Sequence, residues 1–340
     1  MPQSLAIEAF LASPLPLLDS RSPSEFAQGR MPNAISFPLF DDAERAAVGT
    51  CYKQVSQEAA IELGLELVGP KLAGFVRQAK TIAPDRRVRL HCWRGGMRSQ
   101  SLAWLLETAG FEVQVLSGGY KSFRRWVRAT LAQPKRLTVL GGMTGTGKTA
   151  LLHDLAALGE QVLDLEQLAN HRGSSYGALG LPPQPSQEQF DNDLAIAWAQ
   201  FQPDRRVWLE AESRRIGVCR IPDEILKPML NTPVIQVERS LDFRLKLLEQ
   251  IYGQSDPAEL IKATQRISKH IGGQNANQAI EYIQAGNLKP AIAIVLSYYD
   301  KTYTYDLQRR GVPIIPVITA GMNARTIAQK LITTAQHLEP

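Results

Sequence analysis

Cysteine is scarce in this chain: three in 340 residues, Cys51, Cys92 and Cys219, with no paired spacing. That excludes a disulfide framework and a cysteine-rich zinc module, and it fits a reducing compartment, so the cytoplasm is the expected location. Long apolar runs are missing too. No stretch approaches the roughly 20 residues of a membrane helix, and no basic-plus-apolar leader opens the sequence, so neither a membrane span nor export is expected. The chain has no internal repeat and no low-complexity tract, which sets aside solenoids and tethers. Nor does one sign of charge dominate. With 38 Lys and Arg against 33 Asp and Glu, the net charge is +5, which permits a polyanionic partner without demanding one. What remains is ordinary globular composition, 44% hydrophobic and 21% charged, at a length that suggests two domains.

The first half is organised around His91-Cys92-Trp93-Arg94-Gly95-Gly96-Met97-Arg98-Ser99. The alternating residues 87–90 before it predict a strand. Leu102, Leu105, Leu106 and Ala109 after it predict a helix that Gly110 closes. Cys92 therefore falls at a strand end, on a loop that runs into a helix N-terminus. Gly95 and Gly96 let that loop curl so that backbone N–H groups face inward as a nest for an anion. The helix dipole, with Arg94 and Arg98, favours a Cys92 thiolate or an anionic sulfur or selenium adduct. A structural cysteine needs neither a cationic nor a flexible loop. Cys92, Arg94 and Arg98 are the candidate catalytic residues.

Around this loop the elements alternate. Residues 5–11 predict a short helix, and Leu15, Leu17 and Leu18 a strand ending at Asp19 and Ser20. Ser22, Pro23 and Glu25 have the order of a capping box with proline at the first helical position. A turn at residues 29–33 precedes a strand at 34–37. Residues 56–82 are helical by period, with Gly64, Gly69 and Pro70 as the expected break. A strand at 113–116 turns at Gly118 and Gly119. Strands alternating with helices predict a small parallel α/β domain over residues 1–130. Asp19 is either a turn-former or a residue that fixes the active loop. The basic and aromatic residues 123–128, with Lys135 and Arg136, suit either an RNA backbone or a solvated interdomain helix.

The second half, 131–340, opens with a strand at 137–140 followed by Gly142-Met143-Thr144-Gly145-Thr146-Gly147-Lys148-Thr149. This is the phosphate-binding pattern G-x-x-x-x-G-K-[ST], with its helix expected over 150–158. Gly142, Gly145 and Gly147 allow backbone N–H groups to cradle a diphosphate, Lys148 reaches its terminal oxygens, and the Thr149 hydroxyl is placed to hold Mg²⁺. Further strands are expected at 161–164, 206–210, 233–237 and 313–317, giving a P-loop NTPase-like α/β sheet. Asp164, Glu166 and Glu210 each follow an apolar run and are candidates for Mg²⁺ directly or through water; Asp164 is the one favoured. Two loops rich in donors and glycine have the composition of substrate loops. They are His171-Arg172-Gly173-Ser174-Ser175-Tyr176-Gly177, with Arg172, Ser174 and Ser175 as candidates, and the run from Glu210 to Gly217, with Arg214 and Arg215. Arg239 and Arg244 fall near a strand end, where arginines clamp phosphates or pair with Glu238 and Asp242.

Several of these stretches together resemble a rhodanese domain, which carries sulfur or selenium on a loop cysteine. They are Leu18-Asp19-Ser20-Arg21-Ser22-Pro23-Ser24-Glu25-Phe26, the turn at 29–34, the Cys92 loop, and Leu116-Ser117-Gly118-Gly119-Tyr120. The stretch from Cys92 to Arg98 is one residue longer than common rhodanese loops. It satisfies the His-Cys-x-x-Gly-x-x-Arg-Ser pattern of cysteine phosphatases, a wider cradle suited to phosphate or selenophosphate. The loop alone leaves these chemistries open.

A rhodanese-like domain fused to a P-loop domain, with His171-Arg172-Gly173-Ser174-Ser175 and Glu212-Ser213-Arg214-Arg215-Ile216-Gly217, resembles the tRNA 2-selenouridine synthase family over essentially the whole chain. The resemblance implies a transferase of selenium-containing groups acting on wobble 2-thiouridine of tRNA. Selenium would come from selenophosphate, through an S-geranyl intermediate made from geranyl diphosphate. It also implies Cys92 as nucleophile or selenium carrier, Arg94 and Arg98 on the anionic donor, and tRNA and a selenophosphate supplier as partners. Two rivals stand beside it. A rhodanese-type persulfide sulfurtransferase acting on tRNA would take unthiolated uridine, and a Cys-x5-Arg phosphatase would leave the P-loop without a task.

Overall fold

The computed structural model describes residues 2–338. They fall into two compact units, one running to Thr130 and including Asp191–Ala195, the other formed by Leu131–Phe190 and the chain from Ile196 onward. Among the described residues no helix is long and apolar enough to cross a membrane.

The first unit runs β1 (Gln3–Leu5), α1 (Ile7–Ala12), β2 (Leu17–Asp19), α2 (Pro23–Gln28), β3 (Ala34–Ser36), α3 (Asp42–Gln54) and α4 (Gln57–Val68). A 3-10 turn (Gly69–Lys71) follows, then α5 (Leu72–Ile82), β4 (Arg87–His91), α6 (Met97–Thr108), β5 (Glu112–Leu116) and α7 (Gly119–Leu131). The strands are all parallel in the order β1-β5-β4-β2-β3. The alternation in β4 sends Val88 and Leu90 into a core with Val113, Val115, Leu102 and Leu106. Because the strands run the same way, Asp19 and His91 lie side by side at their carboxyl ends, the edge where α/β folds bind ligands.

Two local expectations change. Gly64 lies inside α4 and does not interrupt it, since an interior glycine costs a helix only about 1 kcal/mol. The break comes at Gly69 and Pro70, where a proline removes an N–H and its ring clashes with the preceding turn. Helix α3 was not expected from the sequence, although Asp41 caps it by accepting Glu44 N–H at 2.8 Å. The three residues of β1 are too short to carry a period.

The second unit begins with β6 (Arg136–Gly141), α8 (Lys148–Ala157), β7 (Gln161–Leu163), α9 (Leu165–Leu168), α10 (Gln187–Gln200) and β8 (Arg206–Glu210). Then come β9 (Arg215–Ile216), β10 (Cys219–Arg220), α11 (Asp223–Asn231), β11 (Val234–Glu238), α12 (Leu241–Tyr252), α13 (Pro257–Arg266), α14 (Ser268–Ile271) and α15 (Gly273–Gln284). It closes with α16 (Leu288–Arg309), β12 (Ile314–Ile318) and α17 (Ala324–Gln336). The parallel sheet has the order β12-β11-β6-β8-β7, so the strand feeding the glycine-rich loop is central. Leu151 and Leu155 of α8 pack with Ile327 and Leu331 of α17 against Leu140, Trp208 and Ile235. A second apolar core, with Leu248, Tyr252, Leu260, Ile283 and Val295, joins α12, α13, α15 and α16. From the sequence no element is expected in that layer; only Arg244 and Asp242 are singled out there, and both belong to α12.

Candidate functional site

Cys92 follows β4 directly and is 3% exposed. Its loop ends at Gly96, the N-cap of α6. The first turn of α7 backs this loop: Tyr120 N–H donates to Cys92 O at 2.8 Å and Lys121 N–H to Trp93 O at 2.9 Å. Gly95 and Gly119 have φ of 68° and 58°, the left-handed region that glycine alone enters freely. A Cβ on Gly119 would stand 2.4 Å from both Cys92 O and Gly95 N. Gly119→Ala is therefore expected to destabilise the fold by about 2–4 kcal/mol, from left-handed strain plus a backbone clash. Urea unfolding followed by tryptophan fluorescence measures it, and an unchanged midpoint would contradict this packing.

The Cys92 sulfur lies 3.2 Å from Ser99 Oγ, which donates to Gly96 O at 3.1 Å. Arg98 is not on the sulfur. Its Nη1 donates to Glu25 Oε2 at 2.7 Å, and the same carboxylate oxygen accepts Ser22 N–H at 3.0 Å. The capping box is present, and its glutamate has a second task. Burial alone would raise the Glu25 pKa, but the hydrogen bond and charge of Arg98 outweigh it and hold the carboxyl below its usual range. Arg94 is exposed. Arg94 thus lies on the Cys92 loop and Arg98 in the first turn of α6, and among the described residues neither guanidinium hydrogen-bonds the sulfur.

Beneath the loop Asp19 is fully buried and does more than form a turn. It accepts Arg21 Nε at 3.0 Å and Nη2 at 2.6 Å, and Nη2 also reaches Gly29 O at 2.7 Å. The guanidinium stacks 3.6 Å from the centre of the Tyr120 ring. His91 Nε2 stands 3.5 Å from Asp19 Oδ2. Burial would raise the Asp19 pKa, yet His91 and Arg21 together hold it below the usual value. Burial pushes the His91 imidazole below its own ordinary value. This paired cluster pins the ends of β2 and β4 under the cysteine.

In the second unit the glycine-rich loop joins β6 to α8 with left-handed φ at Gly145 (82°) and Gly147 (78°). Lys148 Nζ donates to Gly142 O at 2.8 Å, and Thr149 Oγ1 to Glu166 Oε2 at 3.1 Å. The carboxylate beside Thr149 is therefore Glu166. Asp164 is occupied elsewhere: it caps α9 by accepting Gln167 N–H at 2.8 Å and meets His153 Nε2 at 3.0 Å. An aspartate directly before a helix is drawn into that cap, which leaves the glutamate of the first turn to face the loop.

A cavity of about 780 Å³ opens on this loop. Of the residues expected at the site, Gly142, Gly145, Gly147, Lys148, Thr149, Arg172, Ser174 and Arg214 line it. Ser175 and Arg215 do not. Ser175 donates its hydroxyl to Ala263 O at 3.0 Å, and Arg215 is exposed in the hairpin of β9 and β10. Arg172 donates to Leu179 O at 2.7 Å, and Arg214 pairs with Asp223 at 3.2 Å. Arg244 is buried and donates to Thr144 O at 2.8 Å and Asp300 Oδ2 at 3.0 Å. It shapes the loop from behind and does not pair with Asp242.

Acidic groups crowd the same place. Burial, then Glu212, pushes Glu166 up to about 7, with Lys148 and Thr149 opposing. Burial also raises Glu212. Glu210 goes well above its ordinary value through burial and then its acidic neighbours, and both its oxygens are buried without a partner.

Sequence reasoning gave no role to Glu212 within its loop and missed Tyr299, Tyr303 and Arg310, all of which line the cavity. Tyr298, Tyr299, Tyr303 and Tyr305 are four of the nine tyrosines in the chain, and that clustering was a signal. It also missed an apolar crevice that shares Leu248, Tyr252 and Tyr299 with the cavity and continues to Leu260, Ile283 and Val295.

Residues 135–331 match the family model described as the tRNA 2-selenouridine synthase AAA domain, and residues 6–125 match the rhodanese-like domain. The chain is 38% identical to a tRNA 2-selenouridine synthase of Bordetella petrii, with 91% of each chain covered. It is 34% identical to one from Marinobacter nauticus over 92% of this chain and 95% of that one. Against one from Shewanella denitrificans it is 35% identical, over 87% and 89%.

Proposed function

The chain belongs to the tRNA 2-selenouridine synthase family, and on that premise we propose that it replaces the sulfur of wobble 2-thiouridine in tRNA with selenium, in two steps. The domain boundary is placed between residues 130 and 131, with sulfur and selenium chemistry before it and diphosphate chemistry after it. The substrates are tRNA, geranyl diphosphate and selenophosphate, the last from a supplying enzyme, and the cytoplasm is where they meet.

One observation carries the geranyl step: beside the phosphate loop, the cavity is itself walled by Leu247, Leu248, Ile251 and Tyr252, and it shares Leu248, Tyr252 and Tyr299 with a small apolar crevice of about 40 Å³. A ligand with a diphosphate head and a hydrocarbon tail suits both surfaces. The thiouridine sulfur attacks the allylic carbon, the C–O bond breaks, diphosphate leaves, and the uridine N3 proton is released. Lys148 and the loop amides stabilise the charge growing on the leaving group. No three His, Cys, Asp or Glu side chains cluster as a metal site among the described residues. Mg²⁺ on phosphates, however, needs only one or two protein oxygens. Thr149 with Glu166, beside the unpartnered Glu210, fits that requirement. Mg²⁺ there would add to the neutralisation of the diphosphate.

In the second step the Cys92 thiolate bonds to C2 and geranylthiol leaves with a proton; the selenium of selenophosphate then displaces Cys92 from C2, and water takes up the phosphoryl group as phosphate. Selenophosphate already holds selenium at the selenide level, so this exchange needs no oxidant. A perselenide on Cys92 would need one, so the role that balances is Cys92 as nucleophile, with Arg94 and Arg98 attracting the anionic donor.

Nucleoside mass spectrometry tests this on 2-thiouridine tRNA incubated with the protein, geranyl diphosphate and selenophosphate. Selenouridine is expected, and S-geranyl-2-thiouridine when selenophosphate is withheld. Untouched 2-thiouridine would overturn the reading, and conversion of unthiolated uridine to 2-thiouridine would favour the sulfurtransferase.

A further inference from the structure

On the reading above, the loop at residues 142–149 holds a diphosphate, and the cavity there contains a cation that no motif marks. Helix α16 turns one face to the cavity: Tyr299, Tyr303 and Leu307, followed by Arg310 at its C-cap, recur at helical spacing and all line it. Two hydroxyls on that face grip the loops opposite. Tyr303 accepts Gly142 N–H at 2.6 Å, and Tyr299 accepts Ser175 N–H at 2.8 Å. Tyr303 holds the last turns of α16 against the first glycine of the phosphate loop, and Tyr299 holds the helix against the loop of residues 171–177. Arg310 Nη2 donates to Glu212 O at 2.9 Å, on the segment that follows β8. Its Nη1 is buried and has no partner.

A buried guanidinium nitrogen without an acceptor is unfavourable, and such groups call for a ligand. The carboxylates of the cavity do not supply that acceptor. We propose that Arg310 is a second phosphate ligand, its Nη1 donating to an oxygen of the diphosphate whose other oxygens meet Lys148 and the loop amides. The planar fork of arginine suits this division, with one arm fixed by the Glu212 carbonyl and the other offered to the anion. Lys148 at the start of α8 and Arg310 at the end of α16 then bracket the charge that develops on the leaving group. Arg310 is a catalytic residue in the sense that it touches that group.

Calorimetric binding of inorganic pyrophosphate in the presence of Mg²⁺, by the full chain, tests this. Arg310→Ala is expected to weaken binding about 10- to 100-fold, the loss of one charge-assisted hydrogen bond. Arg310→Lys, which keeps the charge without the fork, is expected to lose less. Guanidinium added to the Arg310→Ala protein should recover part of the loss and leave wild type unchanged, a response that a scaffolding role would not give. Arg310→Ala binding within about twofold of wild type would overturn the assignment. A loss accompanied by a lowered melting temperature and not rescued by guanidinium would overturn it too, placing Arg310 in the scaffold. If wild type itself fails to bind pyrophosphate while Lys148 is intact, the diphosphate reading of the whole cavity falls, a result distinct from either of these.

Discussion

Lys148→Ala protein is expected to leave 2-thiouridine tRNA ungeranylated on the timescale of wild-type turnover, with the geranylation rate lowered about 10²- to 10³-fold. The lysine stands at the start of α8 with its ammonium 2.8 Å from Gly142 O, poised over the loop proposed to take the leaving diphosphate. In a carbon–oxygen cleavage the charge on that oxygen grows as the bond stretches, so a fixed cation helps the transition state more than the ground state. Lys148 is also a counter-charge for the acids around it, and opposes the rise of Glu166 and Glu212. Without it those carboxyls move further up and take protons, which limits the damage to the fold while removing the charge that the reaction uses. The matched control is tRNA that already carries S-geranyl-2-thiouridine. Lys148→Ala should convert it to selenouridine at close to the wild-type rate, since no diphosphate leaves in that step. Normal geranylation by the variant would remove the phosphate loop from the mechanism.

The parts of this molecule that could be read from sequence are those in which local backbone geometry dictates residue type. The glycines of residues 142–149 are needed for the positive φ angles of the loop, and the strand before them and the helix after them follow from short-range pattern. The same holds for the Cys92 loop and for the capping box at Ser22 and Glu25. What could not be read depends on partners brought together by the fold. Glu25 looks complete as a cap, and its tie to Arg98 spans 73 positions. Tyr303 meets the phosphate loop across 161 positions, and Arg310 meets Glu212 across 98. Asp164 and Glu166 are equivalent as acids after an apolar strand; only the geometry of α9, which takes Asp164 as its cap, decides which one faces Thr149. Helices α12, α13, α15 and α16 bury their apolar residues mainly against one another, so their crevice belongs to no single helix.

Cys92→Ser reverses the pattern expected of Lys148→Ala. The variant should geranylate 2-thiouridine tRNA within about twofold of wild type and then stop, with selenouridine formation slowed at least about a thousandfold, as when a nucleophile is removed. The substitution is small and local. Cys92 is buried beside Ser99 Oγ at 3.2 Å, and a serine hydroxyl has a partner there, so the loop held by Tyr120 and Lys121 should keep its shape. A hydroxyl is a far weaker nucleophile than a thiol at neutral pH, so chemistry is lost while binding is kept. Accumulation of S-geranyl-2-thiouridine in the presence of selenophosphate is the diagnostic observation by nucleoside mass spectrometry. Mixing the two variants adds a further constraint. If the geranylated tRNA dissociates between steps, Cys92→Ser and Lys148→Ala proteins together should restore selenouridine; if it is handed on within one chain, they should not. Selenouridine formation by Cys92→Ser alone at the wild-type rate would mean that selenophosphate attacks the geranylated base unaided, leaving the Cys92 loop as a binding cradle for the anion and no more.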